Sequence, residues 1–448
     1  MEYVDIHSER NFNEFEELYA RLERREVPNG ETVTVQGCIH RIREMSDFAF
    51  VILRTARRLF QCVYDPATAD FKLNEIKEGD YVRLTGKLIV EERSKIGYDF
   101  SLLSYEMISS PKHEIPFVLN KAKLDLGLDM RLDYRPISLR NPAERAVFKI
   151  SAAIQAGFRK FFAENDFTEI VPPKIVSAGA EGGAEMFSVD YFGQGAYLNQ
   201  SPQTYKQMMV GVFEKVFTIG PVFRAEKSHT NRHITEFQGI DIEMGYISSF
   251  EDIMLTEARA LRCVFDHVNE TCAPELALLN VKLPTFDKIP QVRFSEAKEM
   301  VAKQYKREFR SEFDLEPEEE KLIGDLFKKK YGSDLVFVTH YPTAKRPFYT
   351  MDDPSSPGFT CSFDLLLNGS EITTGGQRIH DYDMQLEKMA RFGMDPSLFE
   401  SYLMIHKYGM PPHGGLGIGL ERFTMKLLKL DNIRLATLFP RDVERLAP

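Results

Sequence analysis

The stretch from Val222 to Phe237 sets Arg224, Glu226, Arg232, His233 and Phe237 close behind an apolar, strand-like run. Two guanidiniums and an imidazole on one loop can clamp a polyphosphate, because guanidinium forks match phosphate oxygens, and Phe237 offers a face to a purine. A surface hairpin laced with ion pairs would use the same residue types, so the stretch alone leaves both readings open. His229 and His233 stand four apart, but no HExxH pattern and no nearby third ligand accompany them, which argues against zinc. Further on, Gly414 to Phe423 reads GGLGIGLERF, with neither GxGxxG nor GxxxxGK spacing. A glycine-rich strand that leaves room for a flat ligand, followed by a helix whose Arg422 stacks on it, accounts for this better. Glycines placed only for close packing are the alternative.

The elements that must position these groups fall into two sets. Phe12, Phe15, Leu18, Tyr19 and Leu22 recur at helical spacing and predict a helix over 12–25, stopped by Pro28, Asn29 and Gly30. From 31 to 110 come five β-rich runs, TVTVQGCIHRI, FAFVILR, LFQCVYD, YVRLTGKLIV and YDFSLLSYEMI, separated by polar turns. Five such runs in this length predict a small closed barrel of the OB type. A polar, proline-containing connector follows. Beyond it Val147, Ile150, Ile154, Phe158 and Phe161 recur at steps of three and four, marking a core-facing helix that ends near Asn165 and Asp166. Strand-like runs (FTEIVPPKIV, KVFTIGPVFRA, QGIDIEMGYI, SFDLLLNGSEIT) then alternate with helical runs near 250–268, 295–308, 317–330 and 384–406. The expectation is an α+β protein with a helix and barrel over 1–110, a connector over 111–140 and a larger domain over 141–448.

A chain of 448 residues, 43% hydrophobic, has room for two or three domains and enough apolar side chain to bury a core, which excludes a disordered protein. MEYVDIHSER has no basic n-region or apolar h-region, and no long apolar run occurs, so a cytoplasmic protein is expected. Cys38, Cys62, Cys263, Cys272 and Cys361 are scattered and odd in number, against a disulfide framework. The net charge of −10 would discourage nucleic-acid binding, but local clusters decide. Within 41–58 lie Arg41, Arg43, Arg54, Arg57 and Arg58 against only Glu44 and Asp47. Interleaved with Phe48 and Phe50, and followed by Phe60, they suit a single-stranded platform in which arginines meet phosphates and aromatic faces stack bases. Aromatics that fill the barrel beneath a solvated arginine rim are the alternative.

In this order, these blocks resemble the three signature motifs of class II aminoacyl-tRNA synthetases over almost the whole chain: Pro173 in FTEIVPPKIV for the first, FRAEKSHTNRHITEF for the second, GGLGIGLERF for the third. The resemblance implies an antiparallel catalytic sheet with flanking helices, ATP and Mg²⁺, tRNA, and a homodimer through the Pro173 region. An OB-fold ahead of that sheet is the arrangement of the subgroup for aspartate, asparagine and lysine. Within it, Gln200-Ser201-Pro202-Gln203-Thr204-Tyr205-Lys206 and Gly375-Gly376-Gln377-Arg378-Ile379-His380 resemble the QSPQxxK and GxQRIH motifs of aspartyl enzymes.

By that resemblance Arg224 bridges the α-phosphate and the substrate carboxylate, Glu226 contacts the adenine side, and Arg232 and His233 serve the phosphates. Phe237 and Arg422 sandwich the adenine. Lys206 and Arg378 hold the side-chain carboxylate of aspartate, and Glu181, Gln203 and Asp241 its α-amino group, with Thr374 nearby. Glu371 matches a Mg²⁺ ligand, with Thr374 and Asp364 assisting. In the barrel, Phe50, Arg54 and Gln61 fall where archaeal and eukaryotic aspartyl enzymes contact the anticodon. Ala180, and Thr374 to a lesser degree, depart from the serines common at those positions, which bears on affinity for aspartate. A neutral asparagine amide would leave Lys206 desolvated opposite donor hydrogens, disfavouring an asparaginyl enzyme. A tRNA-independent aspartate–ammonia ligase has no need of the barrel, and the intact Arg224, Glu371 and Arg422 set argues against an inactive paralogue. Histidine at position 40 is compatible with charging tRNA(Asp) alone or tRNA(Asn) as well.

Overall fold

The computed structural model describes all residues except 1–13, 57, 95, 178–184, 228–229 and 309–310. They form two compact units, Met1–Leu124 and Asp125–Pro448. In the first, strands β1 (Thr32–Glu44), β2 (Ala49–Arg54), β3 (Leu59–Tyr64), β4 (Tyr81–Val90) and β5 (Tyr98–Ser109) close a barrel in the order β1-β2-β3-β5-β4. Alternation decides which side chains fill it. Along β2, Ala49, Val51 and Leu53 are fully buried, while Phe50 and Ile52 stay only half-buried on the opposite face. Val35, Leu84, Phe100 and Leu102 complete the core, and the helix Glu14–Glu23 adds Leu18 and Leu22 to it.

Two members of the expected RNA platform take structural roles instead. Phe60 is 1% exposed and meets Phe15 edge-on, so it belongs to the core. Arg58 is spent within the unit, pairing with Glu16 and Glu23 and lying 3.8 Å over the Tyr19 ring, because the leading helix brings acid and aromatic groups to it. Arg57 lies outside the described residues.

The second unit contains two short helices, Leu128–Asp133 and Arg135–Ser138, and then the long helix Pro142–Glu164. Asn141 caps that helix, its side-chain oxygen accepting from the Ala143 amide at 2.9 Å, and Pro142 takes the first position, where no amide hydrogen is required. The large sheet uses β6 (Thr168–Glu169), β10 (Lys215–Phe223), β11 (Glu236–Gly245), β12 (Gln291–Arg293), β13 (Leu335–Thr339), β14 (Ser362–Leu367), β15 (Glu371–Arg378) and β16 (His413–Gly419). Its order is β12-β13-β14-β15-β16-β11-β10-β6, antiparallel throughout except for the parallel pairs at its two edges. A small sheet of β7 (Ile175–Val176), β8 (Ser188–Tyr191) and β9 (Gln194–Leu198) stands apart from it.

One face of the large sheet is apolar. Ile240, Ile242, Leu416, Ile418, Phe363 and Leu365 join the helix residues Ile150, Ile154, Phe158, Val264, Phe265 and Phe423 in one buried cluster. Two expected runs are divided. SFDLLLNGSEIT turns at Asn368 and Gly369, both at positive φ, so it supplies two antiparallel strands rather than one. The run at 384–406 becomes the helices Tyr382–Arg391 and Glu400–Tyr408, with Pro396 opening a short 3₁₀ turn between them. The strand Leu335–Thr339 was not among the expected runs. It is buried on both faces and has no alternation to betray it.

Candidate active site

Over β11 and β16 the other face of the large sheet is polar, whereas at its β12–β14 end Val292, Val336, Val338 and Leu366 carry a second apolar cluster. Along β11, Phe237, Gly239, Asp241 and Glu243 alternate with Ile240 and Ile242, and along β16, Gly415, Gly417 and Gly419 alternate with Leu416 and Ile418. The register sets Gly417 opposite Asp241 and Gly415 opposite Glu243. A methyl group at Gly415 would lie 2.1 Å from Glu243 Oε2, and one at Gly417 would lie 3.0 Å from Asp241 Oδ1. These glycines therefore make room for carboxylates on the neighbouring strand.

Above this face lies a cavity of about 450 Å³. Gln203, Lys206, Arg224, Glu226, Arg232, His233, Phe237, Asp241, Glu371, Thr374, Arg378 and Arg422 all line it, although they span more than two hundred residues of chain. Asp364 lies behind the wall, where its carboxylate pairs with Arg346, itself a lining residue, at 2.6 Å. Glu181 and Ala180 lie outside the described residues, as does His229. Phe50, Arg54 and Gln61 lie in the barrel unit. There Gln61 is exposed and Phe50, in edge contact with Phe48, is half-exposed, whereas Arg54 is buried. His40 is also buried.

Three charged residues of the wall, Lys206, Asp241 and Arg378, meet a fourth, Glu243, buried behind them. The Lys206 ammonium, 1% exposed, donates to Asp241 Oδ1 and to the Leu416 carbonyl, both at 2.9 Å, and stands 3.4 Å from Glu243 Oε2. Arg378 donates from Nε to Glu243 Oε1 at 2.9 Å, and from Nη2 to the Gly415 carbonyl at 3.0 Å and to Gln203 Oε1 at 3.4 Å. Two buried cations thus face two buried anions. Glu243, fully buried between Lys206 and Arg378, escaped the motif reading. Its signal was present in the alternation of QGIDIEMG, which puts it on the same strand face as Asp241.

The loop side is cationic. Arg224 stands 5.4 Å over the Phe237 ring, and its Nε is buried with no hydrogen-bond partner among the described residues; the same holds for Gln203 Nε2. Buried donors without partners are costly, and a ligand that accepts from them recovers that cost. Burial, reinforced by Arg422, Arg232 and Arg224 against the opposing pull of Glu226, holds His233 below the usual imidazole range, so it is neutral at pH 7. Its Nδ1 lies 2.6 Å from Thr230 Oγ1.

On β15, Glu371 accepts from Thr374 Oγ1 at 3.0 Å and faces Arg422 at 3.9 Å. Burial, with Glu371 adding to it against Arg346, pushes the Asp364 carboxyl up to about 6. Burial and the same Glu371 push Glu320 up to about 7. No group of three or more histidine, cysteine or carboxylate side chains arranged for a metal ion occurs among the described residues.

A polar pocket on an antiparallel sheet, lined by an arginine–histidine loop and glycine-rich strands, is thus carried in one chain with a five-stranded barrel. The family model for class II tRNA synthetases (D, K and N) matches residues 127–443, and that for the OB-fold nucleic acid binding domain matches 33–108. The chain is 40% identical over 432 residues to an aspartate–tRNA(Asp/Asn) ligase of Deinococcus radiodurans, covering 95% of this chain and 98% of the relative. It is 42% identical over 420 residues to the enzyme of the same name from Thermus thermophilus, covering 94% and 97%. It also superposes with a TM-score of 0.86 on the asparaginyl-tRNA synthetase of Pyrococcus horikoshii complexed with asparaginyl-adenylate, at 30% identity and covering 94% and 97% of the two chains. This chain belongs to the class II tRNA synthetases of the D, K and N group, and its N-terminal barrel is an OB-fold nucleic acid binding domain.

Proposed function

We propose that this protein activates L-aspartate with ATP and transfers the aspartyl group to the 3′ end of tRNA(Asp) and tRNA(Asn). The observation that carries the amino-acid assignment is the pair of buried cations Lys206 and Arg378, braced by Glu243 in the cavity that also holds Arg224. An ionised side-chain carboxylate suits that pair. An asparagine amide would set donor hydrogens against an ammonium in a desolvated site. Relatives at 40% and 42% identity, named as ligases for aspartate and both tRNAs, support the same reading.

The chemistry needs no protein nucleophile. The α-carboxylate of aspartate attacks the α-phosphorus of ATP, the bond to the bridging oxygen breaks, and pyrophosphate leaves with the electron pair. The terminal ribose hydroxyl of tRNA then attacks the activated carbonyl, and AMP leaves. The protein has to orient the reactants and neutralise the charge that builds on phosphate. Arg224, with its unpartnered Nε, would bridge carboxylate and α-phosphate. Gln203 and Asp241 would take the α-amino group, Glu226 the adenine side, and Arg232 and His233 the outer phosphates. Phe237 and Arg422 would enclose the adenine. Glu371 and Thr374, which line the cavity with hard oxygens, fit a magnesium ion in donor type, and Asp364 stands behind them paired with Arg346. Such an ion supplies charge neutralisation on the phosphates when bound.

For the barrel we propose that Phe50 stacks on an anticodon base and Gln61 reads a base edge, with 111–140 joining this reader to the catalytic unit. A homodimer through the Pro173 region would cover Val171 and Phe192, which are 91% and 90% exposed. An aspartate–ammonia ligase would leave the barrel without a task. Pyrophosphate exchange with aspartate, asparagine and lysine in turn, followed by charging of both tRNA transcripts, tests the assignment. Exchange with asparagine but not aspartate would overturn it.

A further inference from the structure

Glu320 belongs to none of the signature stretches. It sits in the first turns of the helix Pro317–Tyr331, which packs with Ile323 and Phe327 in a core separate from the one beneath the cavity. Its carboxylate nevertheless reaches the site. Oε2 accepts from the backbone amide of Glu371 at 3.1 Å and faces the Arg232 guanidinium at 3.7 Å. Only 11% of its side chain is exposed, against 30% for Arg232. One carboxylate thus joins the first residue of β15 to the cationic loop.

The backbone fixes this reach. One turn further along the helix, Gly324 packs against the β14–β15 turn so closely that a methyl group there would lie 2.5 Å from the Gly369 Cα. A methyl group at Gly369 would in turn lie 2.8 Å from the Lys321 Cα, and Gly369 has φ of +68°, which favours glycine again. That turn closes on itself, the Leu367 amide donating to the Ser370 carbonyl at 2.9 Å, and the Asn368 amide donates to the Asp334 carbonyl at 2.9 Å. Helix and turn are therefore locked main chain to main chain. The step from Glu320 to Glu371 leaves little room for adjustment.

We infer that Glu320 is a positioning residue for the polyphosphate side of the site, holding Arg232 and Glu371 in register with each other before ATP arrives. This rests on the ATP-binding reading above and adds to it a residue that touches no substrate atom. Glu320→Gln keeps an oxygen for the Glu371 amide but removes the charge facing Arg232; Glu320→Ala removes both. Binding is measured at pH 8.5, where a carboxyl pushed up to about 7 is ionised, by calorimetry on the full-length protein with α,β-methylene-ATP and magnesium, and separately with AMP, which lacks the outer phosphates.

The wild type should bind both ligands. Glu320→Gln should weaken the triphosphate analogue by roughly five- to fifty-fold, the scale of one charge-assisted contact, and leave AMP and the KM for aspartate unchanged. Glu320→Ala should weaken it further and raise the magnesium concentration needed for half-maximal binding. If the wild type bound neither nucleotide, the ATP-binding reading would fail. If the wild type bound both and Glu320→Gln bound the analogue equally well, that reading would stand and the role of Glu320 would be refuted. Equal loss of analogue, AMP and aspartate, with a lowered thermal transition, would make Glu320 a packing residue only and refute the proposal too.

Discussion

Lys206→Met is the perturbation that bears most directly on the site. The side chain is 1% exposed, and its ammonium satisfies Asp241 at 2.9 Å and Glu243 at 3.4 Å. Methionine has nearly the same volume and reach, so packing is preserved while the charge is lost. Glu243 would keep Arg378 while Asp241 would lose its ion partner, and removing one partner from a buried ionic set costs ~3–5 kcal/mol. At ~2–4 °C per kcal/mol for a large domain, the thermal transition of the catalytic unit should fall by about 6–20 °C. The substrate should lose a desolvated charge partner as well, an effect of ~2–5 kcal/mol, or roughly 30-fold to several-thousand-fold in kcat/KM for aspartate. Aspartate-dependent pyrophosphate exchange and calorimetry on the same preparation measure the two quantities. An unchanged transition together with an unchanged kcat/KM would refute the argument, because a buried ammonium cannot be removed from these carboxylates without cost.

Arg224→Lys should slow exchange by a factor of ~10² or more, because a point charge cannot bridge carboxylate and phosphate as a planar guanidinium does; a near-normal rate would make Arg224 structural. Phe50→Ala should weaken tRNA charging by ~1–3 kcal/mol while exchange and the thermal transition hold, since Phe50 lies outside the barrel core; normal charging in the folded variant would take it off the RNA surface. Glu257, wholly buried, accepts from Thr373 Oγ1, and burial pushes its carboxyl up to about 8. The folded protein then keeps a proton that the unfolded chain sheds above about pH 4.5, so this group's contribution to stability declines as pH rises from there to about 8. Glu257→Gln should flatten that decline. Denaturant midpoints at pH 5 and pH 8 with the same difference in variant and wild type would contradict it.

The division between what was legible in the chain and what required the fold follows the range of the forces involved. Periodicity is local, so the barrel runs, the helix through Val147 and Phe161 and the strand-like run QGIDIEMGYI could be read directly, and the resemblance to family motifs named Arg224, Lys206 and Arg378. Local signals also misled where two elements adjoin without a break in apolar character, as at Asn368 and Gly369, where only a positive-φ turn separates β14 from β15. They could not separate Phe60 from Phe50, because both are aromatics in β-rich runs and only barrel closure decides which face turns inward. Tertiary structure alone decided the electrostatics. Strand register brought Gly415 and Gly417 opposite Glu243 and Asp241, so that absent side chains became space for carboxylates. The close approach of helix and turn at Gly324 and Gly369 carried Glu320 to Arg232 and Glu371, residues 88 and 51 positions away. Charges interact across space through a poorly screening interior, and their distances exist only once the chain has folded.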